Sequence, residues 1–117
     1  MATNLLKERS YAFALRIIRL SRYLSTEQKD YVLSKQLLRS GTSIGANIEE
    51  AFQGQSRADF ISKLSIANKE AFETNYWLRL MRDSSTLTAA QVDELLNECS
   101  EIQRMLTAAI KTSKSKL

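Results

Sequence analysis

Residues 37–52 read LLRSGTSIGANIEEAF, and the fold turns on whether this run is one helix or two pieces separated by a loop. Its apolar stripe is Leu37, Gly41, Ile44, Ile48 and Phe52, spaced four, three, four and four apart. At ~100° per residue these spacings return to one face of a helix, whereas a half-buried strand alternates every second residue. Ser40 to Ser43 are weak helix formers, yet the stripe keeps its phase across them. One helix is therefore expected, bent there at most and ending near Gly54. Upstream, Thr26 is a candidate cap with Glu27 and Asp30 in the first turn, which sets this helix at about 27–53. Gly41 and Gly45 lie four apart on one side, so a neighbouring backbone can come close.

The same period continues on either side. Leu6, Phe13, Ile17, Leu20 and Leu24 predict a helix over about 4–24, with Tyr11, Ala14 and Ile18 as a weaker second stripe. Ser56 followed by Asp59 reads as the cap of a third helix over about 57–83, whose main stripe is Phe60, Leu64, Ala67, Ala71 and Leu78. Ile61, Phe72 and Tyr76 lie on one flank of it, and Ile66, Trp77 and Leu80 on the other. A helix apolar on three sides has more to bury than one four-helix core covers, so Ile66, Trp77 and Leu80 are candidates for an oligomer interface. Thr88 with Gln91 repeats the capping pattern before a fourth helix over about 89–112, striped by Val92, Leu95, Leu96, Cys99, Ile102, Leu106 and Ile110. Its Glu94, Glu98 and Glu101 share a polar side, read as a solvated acidic ridge. A basic tail, 113–117, is expected to fray. Joints of a few residues force neighbouring helices antiparallel, so the expected fold is all-α, an antiparallel up-down-up-down four-helix bundle in a single domain over 1–117.

Composition bounds the chemistry. The chain has 117 residues, no proline and three glycines, at Gly41, Gly45 and Gly54, a profile that favours long helices over turn-rich sheets. No histidine is present, which removes Ser-His-Asp and Cys-His pairs, histidine-ligated zinc and the Glu-x-x-His di-iron bundle. The single cysteine, Cys99, cannot close an internal disulfide; on the apolar stripe it reads as a small buried hydrophobe. Residues 41–45 lack the length and the lysine of a phosphate-cradling loop. No enzyme, metal or cofactor is expected. Absence of a disulfide pair suits a reducing cytoplasm, and no apolar run reaches the ~20 residues of a membrane span. Met1 to Lys7 carry no secretory pattern, and the closing Ser115-Lys116-Leu117 spells a peroxisomal address only within a Ser/Lys-rich tail.

The net charge of +4 is uneven: residues 1–40 hold eight Lys/Arg against three acids, residues 41–83 sum to −1, and residues 84–117 to zero. Arg9, Arg16, Arg19 and Arg22 fan across the flank of the first helix away from its core stripe, and Lys29, Lys35 and Arg39 can extend that surface. Arginine presents a planar fork suited to phosphate. No aromatic array is seen among these residues, so the expected contact is to the nucleic-acid backbone with little sequence readout. A solvated basic face serving only solubility is the competing reading.

Two stretches carry a family resemblance: Ser40-Gly-Thr-Ser-Ile-Gly-Ala-Asn-Ile-Glu-Glu-Ala51 and Asp59-Phe-Ile-Ser-Lys-Leu-Ser-Ile-Ala67. In these segments, their spacing and its length, the chain resembles the bacterial four-helix-bundle proteins encoded within intervening sequences of 23S rRNA genes. The resemblance implies a homopentameric barrel of basic protomers. It also brings in a relative, the accessory protein of diversity-generating retroelements, which binds nucleic acid and a reverse transcriptase. Expected partners are thus a second copy of the chain, RNA or DNA, and a reverse transcriptase, with no membrane. Gly41, Ile44, Gly45, Asn47 and Ile48 read as the packing motif: small residues where helices meet, isoleucines inward, Asn47 meeting a local polar need. Ala51 departs from the pattern, where glycine is expected. A structural or partner-docking module without any nucleic-acid role stays open beside the nucleic-acid reading.

Overall fold

The structure, a computed structural model, describes the backbone of residues 2–116 and side chains from Leu5 to Lys116. Four helices follow one another: α1 (Ala2–Thr26), α2 (Tyr31–Ala51), α3 (Arg57–Asp83) and α4 (Ala89–Lys114). Their relative directions follow from the contacts between them. Ile17 of α1 lies against Gly41 of α2, and Ser10 lies against Gly45. The Ser40 and Thr74 hydroxyls are 2.9 Å apart across α2 and α3, while Lys63 bonds Glu50 further along. The Cys99 thiol donates to the Ala71 carbonyl across α3 and α4, and Asn68 meets Thr107. In each pair one residue number rises as the other falls, as do Arg9–Glu101 and Arg16–Glu94 across α1 and α4. The bundle is antiparallel and runs up-down-up-down.

The stripes read from the sequence face one another in the core. Phe13, Ile17, Leu24, Leu37, Ile44, Ile48, Leu64, Leu78, Met81, Val92, Ile102 and Leu106 are all fully buried. Sequestering each aliphatic or aromatic side chain of this kind stabilises by about 1.5–3 kcal/mol, enough in sum to oppose the ordering of long helices. Cys99 is buried beside them; burial pushes its thiol up to about 12, only partly opposed by the Asn75 backbone. It is an inert wall, not a nucleophile. Phe60, expected in the core stripe, is only half-buried and stacks edge-to-face on Phe52 at 5.3 Å.

Three boundaries differ from expectation. The cap of α2 is Asp30, not Thr26: its carboxylate accepts from the Leu33 N–H at 3.0 Å. Thr26 instead ends α1, where its hydroxyl donates to the Arg22 carbonyl at 2.8 Å. Thr and Asp both cap helices, and α1 continues two residues beyond its last core leucine, Leu24, so the chain must first turn back. Lys29 makes that turn with φ of 53°, in the left-handed region, before Asp30 adopts the extended conformation of a cap. At its other end α2 stops at Ala51, with Phe52 as a right-handed cap and no glycine at positive φ. An αR cap needs no glycine, which is why alanine serves at position 51. Finally, α4 continues to Lys114 instead of fraying after residue 112, because Ser113 is buried and Lys111 and Lys114 sit favourably at the negative end of the helix dipole. Leu117, last of the address-like tripeptide, lies outside the described residues. The caps at Ser56 and Thr88 are as expected, the second a complete capping box with Gln91. No helix among the described residues is long and apolar enough to cross a membrane.

Candidate nucleic-acid interface

The seam between α1 and α2 is lined by small side chains, which lets the two helices approach closely. The Ser34 hydroxyl donates to the Ser21 carbonyl at 2.8 Å and lies 2.8 Å from the Ser25 hydroxyl. Beyond them Ile17 fills the space over Gly41, and Ser10 lies over Gly45. This zipper sets the basic residues of α1 beside those of α2. Arg22 follows Ser21 and Lys35 follows Ser34, so the two cations lie at the same level on either side of the seam. Asn47 stays on its own helix, its amide donating to the Ser43 carbonyl at 2.8 Å, and Ile44 and Ile48 are fully buried.

Of the seven candidate basic residues, three are held by acids of neighbouring helices. Arg9 pairs with Glu101, and Arg16 bridges Glu94 and Glu98. The glutamates of α4, expected as a solvated ridge, therefore face α1. A single helix's periodicity locates its core face but cannot tell which flank a neighbour occupies. Arg39 of α2 is gripped by Glu70 and Glu73 of α3. Burial costs its charged form something, but the attraction and hydrogen bonds of the two carboxylates outweigh that and raise its pKa above the ordinary arginine value. Glu73 also accepts from the Trp77 indole at 3.3 Å. Exposed pairs of this kind contribute about 0–1 kcal/mol each to stability, but their electrostatic effect is larger than their energy: they cancel the charge a phosphate would meet.

The other four remain open. Arg19, Arg22, Lys29 and Lys35 are exposed, and among the described residues none of them enters an ion pair. All four sit at the end of the bundle where α1 turns into α2. Asp83 and Asp93, at the joint between α3 and α4, share that end but are both held by Arg82, and two more acids lie in the α1–α2 turn itself. Asp30 is occupied as the cap of α2, and Glu27 stands exposed in the turn. A residue absent from the sequence reading lies among them: Tyr31, the first residue of α2, is 64% exposed. Its position between Lys29 and Lys35 was the available signal.

The oligomer candidates divide. Trp77 is half-buried and packs against the core, with Tyr76 edge-to-face at 5.4 Å. Ile66 and Leu80 are each 39% exposed. More apolar surface is shown by Phe72 and Tyr76, at 61% and 48%. With Leu80 these two make an i, i+4, i+8 ridge along the outer side of α3.

Comparison with known proteins agrees with this architecture. A search of curated proteins finds no match. Among solved structures, the chain is similar to a protein of unknown function from Bacteroides thetaiotaomicron VPI-5482, described as of the S23 ribosomal protein family and determined by crystallography at 1.70 Å resolution. The two share 53% identity over 95% of this chain and 99% of that one, with a TM-score of 0.93. Residues 3–108 match the family described as 23S rRNA-intervening sequence protein, and both stretches that carried the resemblance fall inside that span. With the match covering nearly all of its length and the fold shared throughout, the chain belongs to the 23S rRNA-intervening sequence protein family.

Proposed function

We propose that the protein is a non-enzymatic, self-associating helical bundle that holds nucleic acid by its backbone at the basic end formed by Arg19, Arg22, Lys29 and Lys35. The observation that carries this reading is the division of the seven candidate cations: three are neutralised within the fold, and four at one end are exposed and free of ion pairs among the described residues. Local charge of this kind attracts an anionic polymer far better than the net +4 of the chain suggests, and five copies together would carry about +20. The family description, which refers to 23S rRNA, and the ribosomal family to which the similar crystal structure is ascribed are compatible with an RNA partner. Helix-borne arginines and lysines without a base-reading element favour contact with phosphate over sequence recognition.

Fluorescence anisotropy with a labelled structured RNA at low and near-physiological salt tests the proposal. Affinity should fall as salt rises, by ~0.7–0.9 log units per log unit of salt for each phosphate contact. Replacing Arg19, Arg22 and Lys35 together by glutamine should lower both the affinity and that slope. Replacing the ion-paired Arg9, Arg16 and Arg39 should change the slope little. No binding near physiological salt, or equal sensitivity to the two triple substitutions, would sink the idea. The second reading, a module that docks copies of itself or a protein such as a reverse transcriptase, is favoured by the exposed Phe72–Tyr76–Leu80 ridge and would then stand alone.

A further inference from the structure

The four tyrosines differ in what surrounds them. The Tyr23 hydroxyl accepts from Gln28, and Tyr76 lies between Trp77 and the guanidinium of Arg79. Tyr11 is well exposed, but it borders a shallow cleft that it shares with the carboxylate of Glu49. Tyr31 is the exposed tyrosine at the end of the bundle that carries Arg22, Lys29 and Lys35, which enter no ion pair among the described residues. It opens α2 immediately after the turn carrying Lys29. Side chains on a helix lean toward its N-terminus, so a ring on the first residue reaches over that turn and off the end of the bundle. Lys35 lies one turn further along the same side of α2. Arg22 stands across the seam at the level of Ser34, through the bond from Ser34 to the Ser21 carbonyl. The nearest carboxylate in sequence, Asp30, is committed to the Leu33 N–H.

An exposed aromatic ring among unpaired cations offers two things at once: a π-face on which a base can lie, and charge for the phosphates on either side of it. A duplex offers only the second, because its bases already stack on one another. Resting on the nucleic-acid reading above, we propose that the ligand of this end is single-stranded, an unpaired base stacking on Tyr31 while Arg22 and Lys35 hold the adjoining phosphates. Every base has a π-face, so the site takes unpaired RNA loops or single strands without strong sequence preference. A protein surface is the competing occupant for an exposed tyrosine beside Val32 and Leu38. Arg22, Lys29 and Lys35 outnumber the two acids of the turn, exposed Glu27 and Asp30 held at the helix cap, and that surplus favours the polyanion.

The full chain should be titrated with a single-stranded oligonucleotide of mixed sequence, and with a duplex of matched phosphate number. The single strand should bind more tightly. Tyr31→Ala should weaken its binding on the order of tenfold while leaving the salt dependence unchanged, since stacking releases no counterions. Tyr31→Phe, which keeps the ring, should bind like the parent, and duplex affinity should not respond to either change. Circular dichroism and light scattering of each variant accompany the titrations. Single-strand affinity unchanged by Tyr31→Ala, or equal binding of both probes, overturns the stacking role while the phosphate-binding reading survives. Binding of neither probe overturns both. A change in assembly mass with Tyr31→Ala in place of a change in affinity overturns it in favour of a protein contact.

Discussion

Gly41 and Gly45 look equivalent in the sequence, four apart on one side of α2, yet a β-carbon would be received differently at each. At Gly41 it would come within 2.7 Å of Ile17 Cγ2 and 2.9 Å of Cγ1, inside the distance any methyl tolerates. Ile17 is fully buried and branched at Cβ, so its rotamer has little room to yield. At Gly45 the nearest atom is Ser10 Oγ at 3.4 Å, an ordinary contact. Gly41→Ala should therefore cost ~1–3 kcal/mol through overpacking. Gly45→Ala should be neutral or stabilise by up to ~1 kcal/mol, because alanine is the better helix former. Thermal melts of the two single variants should move in opposite directions or, at the least, only the Gly41 variant should fall. A larger loss at Gly45 would show that the α1–α2 seam is tighter at Ser10 than at Ile17.

At the scale of elements, the joint between α1 and α2 decides where the cationic end lies. It is closed by Asp30, whose carboxylate satisfies the Leu33 N–H, and by the Asp30 N–H itself donating to the Leu24 carbonyl at 2.9 Å. Asp30→Ala should cost about 1 kcal/mol, the usual loss for a cap. Thr26→Ala should cost much less, since the Thr26 hydroxyl only returns to a carbonyl of its own helix. Chemical denaturation of the two variants checks this, and an equal or larger loss at Thr26 would contradict the assignment of the cap. The Asp30 substitution also removes a carboxylate next to Tyr31, so nucleic-acid affinity should not fall with it even as stability does.

For the whole molecule, the question left by the monomer is the outer side of α3. Phe72 and Tyr76 are among the more exposed large apolar side chains, and they share one ridge with Leu80. Ridges of this kind are more often interface than bare surface. Self-association through α3, in the number the family resemblance implies, should give a light-scattering mass of roughly five times the 13.3 kDa chain. Phe72→Glu with Tyr76→Glu should shift the protein to smaller species without loss of helicity, because neither ring belongs to the core. Trp77→Glu should instead unfold it, since that ring packs against the core and its indole is bonded to Glu73. A parent protein that scatters as a monomer at micromolar concentration would leave the ridge free for a different protein.

Much of the fold is legible in the sequence, because burial imposes a period on the chain and the period survives in the residues. Leu37, Gly41, Ile44 and Ile48 declare a helix by their spacing, the Thr88–Gln91 pair declares where α4 starts, and the lack of histidine removes whole classes of chemistry. What periodicity cannot carry is the azimuth of one helix relative to the next. That the glutamates of α4 face Arg9 and Arg16, that Glu70 and Glu73 close on Arg39, and that Ser21 meets Ser34 all depend on how the α1–α2 seam and its neighbours rotate into contact. An ion pair between residues 78 or 82 positions apart leaves no local trace in the chain. Only the tertiary structure therefore separates cations that are neutralised from those left free, because charge acts through distance in space and not along the sequence.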